Sequence, residues 1–268
     1  MTVPRCCICI PTFNSAATLG ATLQSVLTQA HQNLIVKIFD NASTDSTLAV
    51  ATSFQEKDAR IQIYTSDVNL GGERNFTRCL QAAEGDYTAI YHSDDLYHPT
   101  IVEESVAFLE KHRECGAVAV HSLLIDENAR ITGERFLPNE LRSQRESELD
   151  EAAFLELVSR YGNFVTCPSV MARSELYRDK IAQWNGHNFK TSADLDIWWR
   201  ITQVSRLGIL TKPLMSYRVS KASFTIRETK RRISRHDFFL VVDAGDHGGQ
   251  FRAQDGERGA VALARVDG

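Results

Sequence analysis

The sequence predicts an α/β protein whose central sheet is mostly parallel and carries helices on both faces. Segments typical of strands and of helices alternate three times in the first third of the chain, and a fourth strand follows. Such alternation is typical of parallel strands joined by right-handed helical crossovers. The length of 268 residues and the hydrophobic content of 43% allow one large soluble domain or two small ones.

Four short apolar segments account for the predicted strands, at residues 5–10, 34–39, 61–64 and 87–91. Three amphipathic segments lie between them and predict helices. We expect the first helix to be capped by Ser15, the second to begin near Ser46 and the third to cover residues 73–84.

Polar residues follow all four predicted strands. The clusters are Thr12 with Asn14, Asp40 with Asn41, Asp67 with Asn69, and Ser93 with Asp94 and Asp95. Because the carboxyl ends of parallel strands lie at one edge of a sheet, we expect the four clusters to meet there and to form a ligand site.

The adjacent carboxylates of Asp94 and Asp95 predict a metal. Carboxylates at the end of a buried strand are costly to bury without a cation. Hard oxygen ligands suit Mg²⁺ or Mn²⁺, which proteins commonly share with substrate phosphates. A solvated acidic turn is the alternative, and the alignment of four polar clusters favours the metal site.

Other nucleotide sites are not supported by the motifs. The first strand is followed by Pro11–Ala16, which lacks the G-x-G-x-x-G of dinucleotide-binding proteins, and no P-loop sequence is present. A nucleotide whose phosphates are held through a metal remains. The net charge of -4 and the pI near 6.1 argue against nucleic acid as a partner.

The six cysteines predict buried, reduced thiols. Cys6 and Cys9 have C-x-x-C spacing, but on a strand their side chains face opposite sides and cannot share an ion. Reduced thiols fit a reducing compartment. With no apolar segment of membrane-spanning length and no secretory signal in view, we expect a cytoplasmic protein.

The second half of the chain is organised differently. A helix at 100–112, a strand at 117–125, a helix around residues 154–158 and strands at 208–214 and 217–219 are expected. The charged segment 126–150 fits either a surface loop or a mobile cover over the site.

A further helix is expected from Ile197 to Val204, with Asp194 just ahead of it or in its first turn. Asp194 is either a helix-capping residue or a general base. We expect Trp198 and Trp199 to pack in the core rather than to stack against a sugar.

The C-terminal part contains a basic stretch, Arg227–His236, and a glycine-rich tail over residues 245–268. The basic stretch predicts either a solvated helix or a peripheral membrane contact with anionic phospholipid or a lipid pyrophosphate. The tail predicts a loosely ordered segment.

Six stretches together resemble the family 2 glycosyltransferases, an inverting group with the GT-A fold. They are Ile8–Asn14 (ICIPTFN), Asp40–Thr47 (DNASTDST), Asn69–Asn75 (NLGGERN), Glu84–Tyr87 (EGDY), Ser93–Asp95 (SDD) and Ala193–Trp198 (ADLDIW). They follow the order of the family's motifs over residues 6–220.

The resemblance implies a role for each matching residue. Asp194 would be the general base, Asp95 would bind Mn²⁺ or Mg²⁺ directly, and Asp94 would contact the ribose, or the metal through water. The other implied contacts to the nucleotide sugar are Pro11 and Phe13 around the base, Asp40 or Asn41 at the base edge, and Thr12, Asn69, Arg74 and Ser93.

The resemblance also implies domains and partners. Residues 1–225 would form one catalytic domain, with a donor half (1–98) and an acceptor half (99–225), followed by a C-terminal region (226–268). The donor would be a UDP- or dTDP-sugar. The acceptor would be a saccharide or a lipid-linked saccharide of surface polysaccharide or glycolipid synthesis.

Four positions depart from the family pattern. His92 stands where an acidic residue is common, Asn41 replaces a common aspartate, Ala193 replaces the usual glutamate, and Ser220 stands where many members carry histidine. These departures keep open a non-catalytic sugar-nucleotide-binding protein. A nucleotidyltransferase is the weaker alternative, because no phosphate loop rich in glycine and lysine follows the first strand.

Overall fold

The computed structural model describes residues 2–185 and 192–219. The strands are β1 (Cys6–Thr12), β2 (Leu34–Asp40), β3 (Ile61–Tyr64), β4 (Tyr87–Ile90), β5 (Leu96–Tyr97), β6 (Cys115–Ile125), β7 (Ile131–Glu134), β8 (Glu146–Leu149), β9 (Val170–Arg173) and β10 (Arg206–Arg218).

The α-helices are α1 (Leu19–Leu27), α2 (Thr47–Gln55), α3 (Gly72–Gln81), α4 (Ile101–Lys111), α5 (Asn139–Arg142), α6 (Glu151–Tyr161) and α7 (Ala193–Thr202). A 3₁₀-helix (Cys167–Ser169) precedes β9, and a π-helix (Leu176–Ile181) follows it.

The first four strands are all parallel to one another and lie in the order β3-β2-β1-β4. Thr12 lies beside Asp40 at the carboxyl ends of β1 and β2. The predicted parallel strands are therefore confirmed, and their carboxyl ends share one edge.

The second half of the chain makes the sheet mixed. β9 lies antiparallel between β4 and β6, and β10 runs parallel to β6 and antiparallel to β5. The prediction of two short strands near the C-terminal end is wrong, because β10 is continuous. Register shifts around Pro213 accommodate the missing N–H and let the strand run on.

The charged segment 126–150 is not a plain loop. β7 pairs with β6, β8 pairs with β10, and α5 lies between them. Its three leucines, Leu137, Leu141 and Leu149, are buried, whereas Ile131 and Phe136 are exposed. Because hydrophobic residues are sparse in this segment, the sequence pattern did not predict these two strands and the short helix.

The core consists of two apolar clusters, one on each face of the sheet. Cys6 belongs to one cluster, and Cys7 and Cys9 belong to the other. Five of the six cysteines are fully buried, as predicted, and Cys167 is half-buried. Trp198 is buried in one of these clusters and Trp199 packs against it, as predicted.

The cap predicted for the first helix is wrong. α1 begins at Leu19, and the Ser15 carbonyl accepts hydrogen bonds from the N–H groups of Thr18 and Leu19. The Ser15 hydroxyl instead lies within hydrogen-bond distance of the Ser93 hydroxyl.

In the described parts of the chain, no helix combines the length and the apolar character that a bilayer crossing requires. The predictions for Ser220, the basic stretch Arg227–His236, the region 226–268 and the tail 245–268 lie outside the described residues.

Candidate active site

The turn that carries Asp94 and Asp95 follows β4 and is fixed from several sides. The Thr22 hydroxyl of α1 donates to the Asp95 carbonyl oxygen at 2.8 Å. The His92 N–H donates to the Tyr97 hydroxyl at 2.8 Å. The Ser15 and Ser93 hydroxyls lie 2.8 Å apart, which ties the turn to the end of β1. The turn is therefore fixed by hydrogen bonds, with Asp95 fully buried and Asp94 half-buried.

Arg218, the last residue of β10, clamps this turn. Its backbone N–H donates to Asp95 Oδ1 at 2.8 Å, and its Nε donates to the Asp94 carbonyl oxygen at 2.7 Å. Its Nη1 also donates to the carbonyl oxygens of Asp126 and Glu127 at 2.7 and 3.0 Å. Sequence reasoning missed this residue, because nothing local marks an arginine whose partners lie in distant segments.

The Asp95 carboxylate is only half satisfied. The residue is 0% exposed, and Oδ2 has no hydrogen-bond partner among the described residues. Burial, and next the negative charge of Asp94, raise the pKa of Asp95 well above its usual range. An unpaired buried carboxylate is expensive unless a proton or a cation compensates it.

The residues around Asp95 fit a divalent cation. His92, Asp94 and Asp95 each offer one ligand atom, and these atoms lie within 4.8 Å of one another. The orphaned Asp95 Oδ2 is 3.8 Å from His92 Nδ1. Two carboxylates and an imidazole form a donor set that suits a divalent metal ion.

The turns after β1 and β2 are cross-linked. Asn14 Oδ1 accepts from the Thr44 N–H at 2.8 Å, and the Ser15 N–H donates to the Thr47 hydroxyl at 2.7 Å. The Ala16 N–H donates to Asp45 Oδ2 at 3.2 Å. The later polar residues of the Asp40–Thr47 stretch therefore hold the two strand ends together.

Asn41 positions the turn before α3. Its Oδ1 accepts from the Leu70 N–H at 2.9 Å, and its Nδ2 donates to Asn69 Oδ1 and to the Gly71 carbonyl oxygen at 3.0 and 3.3 Å. Gly71 has φ +83°, a conformation that favours glycine. Both N–H groups of the Asn41 amide and one lone pair of its oxygen are thus bonded inside the protein.

Asp40 lies beside Asn41 at the same edge. Its Oδ2 accepts from the Ser43 N–H at 3.1 Å, and its Oδ1 accepts a long 3.5 Å hydrogen bond from the Thr12 hydroxyl. Each of these carboxylate oxygens has a second lone pair for a ligand.

Three of the predicted nucleotide contacts differ in exposure. Phe13 is 44% exposed, Arg74 is also exposed, and Pro11 is half-buried. An exposed aromatic ring beside the polar edge offers a face for a planar base.

Asp194 lies in the first turn of α7. Its Oδ2 accepts from Asn163 Nδ2 at 2.9 Å, and its Oδ1 accepts from the Leu195 N–H at 2.9 Å. Burial raises the pKa of Asp194, while these two hydrogen bonds and the positive charge of Arg135 act in the opposite direction. The carboxylate is oriented and has a proton affinity above that of an ordinary aspartate.

Cys167 connects the two groups of carboxylates. Burial raises the pKa of its thiol well above the usual range, and the negative charges of Asp194 and Asp95 raise it further. Both carboxylates therefore act on the same thiol, although 99 residues separate them in sequence.

Arg135, directly after β7, also belongs to this region. Its charge lowers the pKa of Asp194, and it acts against the burial that raises the pKa of Tyr217. It is half-buried, and its guanidinium makes no hydrogen bond or ion pair with any residue of 2–185 or 192–219. Sequence reasoning did not single it out, because it lies in the charged segment that looked like a loop.

Asp196, the second aspartate of the same stretch, has a structural role. Its Oδ2 accepts from Asn185 Nδ2 and from Arg200 Nε, both at 2.9 Å. Arg200 also donates to the carbonyl oxygens of Ile181 and Gln183. This network anchors the segment after the π-helix beneath α7.

The sequence profile described as "Glycosyl transferase family 2" matches residues 7–171, more than half of the chain. The chain belongs to this family. It is a glycosyltransferase, and the expected GT-A fold agrees with the mixed sheet described above.

Known proteins and structures support the assignment to family 2. EpsE of Bacillus subtilis (strain 168) is 27% identical over 241 residues, which cover 90% of this chain and 79% of EpsE. The crystal structure of S. aureus TarS 1–349 in complex with UDP-GlcNAc superposes with a TM-score of 0.71 at 17% identity, covering 97% of this chain and 71% of that one.

The mannosyltransferase PcManGT from Pyrobaculum calidifontis, solved in complex with GDP-Man and Mn²⁺, superposes with a TM-score of 0.61 at 16% identity. The alignment covers 100% of this chain and 76% of PcManGT. At these identities, the two structural likenesses establish the fold of this glycosyltransferase.

Proposed function

We propose that this glycosyltransferase moves a sugar from a nucleoside-diphosphate sugar to an acceptor hydroxyl, with inversion at the anomeric carbon and with Mn²⁺ or Mg²⁺ as cofactor. The observation that carries the proposal is the buried Asp95 carboxylate at the carboxyl edge of the sheet, whose Oδ2 is unpaired among the described residues and lies 3.8 Å from His92 Nδ1. Asp194 is the second carboxylate that the proposal uses. One carboxylate serves the acceptor, and the other serves the diphosphate of the donor.

The donor side is formed by the carboxyl edge of the parallel strands. Phe13 and Pro11 border the base, Asp40 accepts from its edge, and Asp94 contacts the ribose. Asn41 acts indirectly, because its amide holds the turn that carries Asn69. Thr12, Ser93 and Arg74 complete the proposed contacts along the nucleotide.

Asp95 would hold the metal, with Asp94 and His92 beside it. The orphaned Oδ2 of Asp95 supports this assignment. When bound, the metal would neutralise the negative charge of the departing diphosphate. The Mn²⁺ in the PcManGT complex and the UDP-GlcNAc in the TarS complex make the same donor class reasonable for this chain.

Asp194 would act as general base. Its raised pKa increases its ability to take the proton of the acceptor hydroxyl. The acceptor oxygen forms the new bond to the anomeric carbon as the bond to the diphosphate oxygen breaks, and the proton goes to Asp194. A single displacement of this kind inverts the anomeric configuration.

A saccharide, free or lipid-linked, is the proposed acceptor. Phe136 is 54% exposed, and its ring lies 5.6 Å from that of Tyr161. Phe136 directly follows Arg135, whose charge acts on Asp194. The exposed Phe136 ring, with the half-buried Tyr161 ring next to it, gives a surface on which the C–H face of a sugar can stack.

The donor is tested first. Isothermal titration calorimetry with UDP, dTDP and GDP, each with and without Mn²⁺, should find one nucleotide that binds about ten-fold tighter or more with the metal. Hydrolysis of nucleotide sugars carrying that base then identifies the sugar. A chain that binds none of the three nucleotides in either condition contradicts the proposal.

The base is tested with Asp194→Asn. Donor binding should stay near normal, while transfer falls by a factor on the order of 10²–10⁴. The matched control is Asp179→Asn, an exposed aspartate paired with Arg178, which should leave both unchanged. Normal transfer by Asp194→Asn removes this residue from the role, and donor binding without any turnover by the unmodified protein indicates a non-catalytic binder.

A further inference from the structure

We infer that His92 is a nitrogen ligand of the cation and that it makes the site prefer Mn²⁺ and later first-row ions over Mg²⁺. The inference rests on the proposed function, because it concerns the metal of the same donor site. It assigns a third ligand at the position where the family commonly has an acidic residue.

The distance between the two side chains suits a shared ion. His92 Nδ1 and Asp95 Oδ2 are 3.8 Å apart, too far for a hydrogen bond. Two atoms that each bind one ion at about 2.1 Å can be at most about 4.2 Å apart. An ion therefore fits between them without movement of either side chain.

The Asp95 carboxylate has no other polar partner for one of its oxygens among the described residues. Asp95 is fully buried, and its Oδ2 makes no hydrogen bond to any described residue. A buried polar atom is rarely left unpaired, since each costs about 1–3 kcal/mol. An ion between Asp95 Oδ2 and His92 Nδ1 would satisfy this oxygen, while Nε2, the other ring nitrogen, would not contact the ion.

Aromatic packing fixes the orientation of the imidazole. The Phe76 ring stands nearly perpendicular to it, at 76° with 5.5 Å between ring centroids. Phe76 in turn stacks on the Trp184 ring, with 4.5 Å between ring centroids. The backbone N–H of Trp184 donates to the Thr77 hydroxyl. A metal-bound histidine needs such orientation of the ring, here supplied by aromatic neighbours.

Asp94 would complete the set. Its ligand atom lies within 4.8 Å of those of His92 and Asp95. In the proposed site His92 and Asp95 bind the ion directly, and Asp94 reaches it through water or turns to the ribose.

An imidazole ligand changes the choice of metal. Mg²⁺ binds oxygen ligands in strict octahedral geometry and retains its waters, whereas imidazole suits the first-row transition metals. A site with one nitrogen and one or two carboxylates should therefore discriminate against Mg²⁺ at equal concentration.

The test measures metal binding directly on the full chain. Electron paramagnetic resonance of Mn²⁺, with and without UDP, gives its affinity, and competition gives that of Mg²⁺. Spin-echo modulation of bound Mn²⁺ reports a directly bound nitrogen. We expect nitrogen modulation in the unmodified protein and an affinity for Mn²⁺ about ten-fold or more above that for Mg²⁺.

Two variants isolate the ligand. His92→Gln should lose the nitrogen modulation and about ten-fold or more of the Mn²⁺ affinity. His92→Asp should regain Mn²⁺ binding without nitrogen and bind Mg²⁺ more tightly than the unmodified protein. The matched control is His98→Gln, which removes an exposed imidazole that, among the described residues, bonds only to Thr100; this variant should retain the nitrogen signal.

The outcomes separate this inference from the proposed function. Bound Mn²⁺ without nitrogen modulation, or equal Mn²⁺ affinity in the unmodified protein and a folded His92→Gln, overturns the role of His92. If sugar transfer nonetheless proceeds, the proposed function stands alone. If the nitrogen signal is present but no nucleotide binds, the ligand assignment stands and the proposed function fails.

Discussion

The backbone N–H of Arg218 donates to the carboxylate of Asp95 at 2.8 Å, across 123 residues of sequence. The contact joins the end of β10 to the turn after β4. Because the Arg218 guanidinium also bonds to the Asp94 carbonyl oxygen and to two carbonyl oxygens of the turn after β6, one residue fixes the turn of the acidic pair against the second half of the chain.

We predict that Arg218→Ala destabilises the protein and weakens metal binding. The change leaves three carbonyl oxygens without their buried donor, which should lower the free energy of unfolding by about 3 kcal/mol. Urea denaturation measures this loss. Arg145→Ala is the control, since this arginine is exposed and its side chain bonds to no described residue, and it should change stability by less than about 0.5 kcal/mol. Equal stability of the two variants would show that the clamp is dispensable.

The parallel half of the fold could be predicted because its signals are local. Each of β1 to β4 is a short apolar segment followed by polar residues, so periodicity and parallel topology together place Asp40, Asn69 and Asp95 at one edge. The structure confirms this edge and gives Asn41 a positioning contact that spacing does not show.

The second half of the chain could not be predicted to the same extent, because its strands are fixed by contacts between residues far apart in sequence. β7 and β8 are four-residue strands that are stabilised by pairing with β6 and β10 rather than by their own sequence. Arg135 and Arg218 reach the site only through that pairing. Ser15 fits the pattern of a helix cap, but its hydroxyl contacts Ser93 of a distant turn.

We predict that Asp95→Asn stabilises the metal-free protein. The amide oxygen can still accept from the Arg218 N–H, while the unpaired buried charge is removed, so the free energy of unfolding should rise by about 1–3 kcal/mol. Thermal unfolding with and without Mn²⁺ measures the effect. Mn²⁺ should stabilise the unmodified protein and leave Asp95→Asn unchanged; an equal metal effect on both would place the ion elsewhere.

We predict that Asn41→Asp is destabilising, although aspartate is common at this position in the family. Asn41 Nδ2 donates to Asn69 Oδ1 and to the Gly71 carbonyl oxygen, so a carboxylate would face two acceptors. The cost should be about 2–3 kcal/mol, since one carboxylate oxygen would keep the Leu70 N–H while the other would face two acceptors with no donor. Asn41→Ala loses all three hydrogen bonds of the side chain but introduces no repulsion, and it should cost less. Denaturant unfolding measures the free energy of unfolding of both variants. An aspartate variant that is more stable than the alanine variant would contradict the contact geometry.

We predict that Asn163 sets the pH at which Asp194, the proposed general base, loses activity. Asn163 Nδ2 donates to Asp194 Oδ2 and thereby lowers a pKa that burial has raised. Asn163→Ala removes the donor, so the pKa of Asp194 should rise further. Since only the ionised carboxylate accepts a proton, activity falls as the pH drops through this pKa, and the acid limb of kcat/KM should move to higher pH. The alkaline limb should not move, and donor affinity at neutral pH should be unchanged. A uniform loss of activity with an unshifted acid limb would mean that Asn163 acts only on the local structure, through its bond to the Val165 N–H.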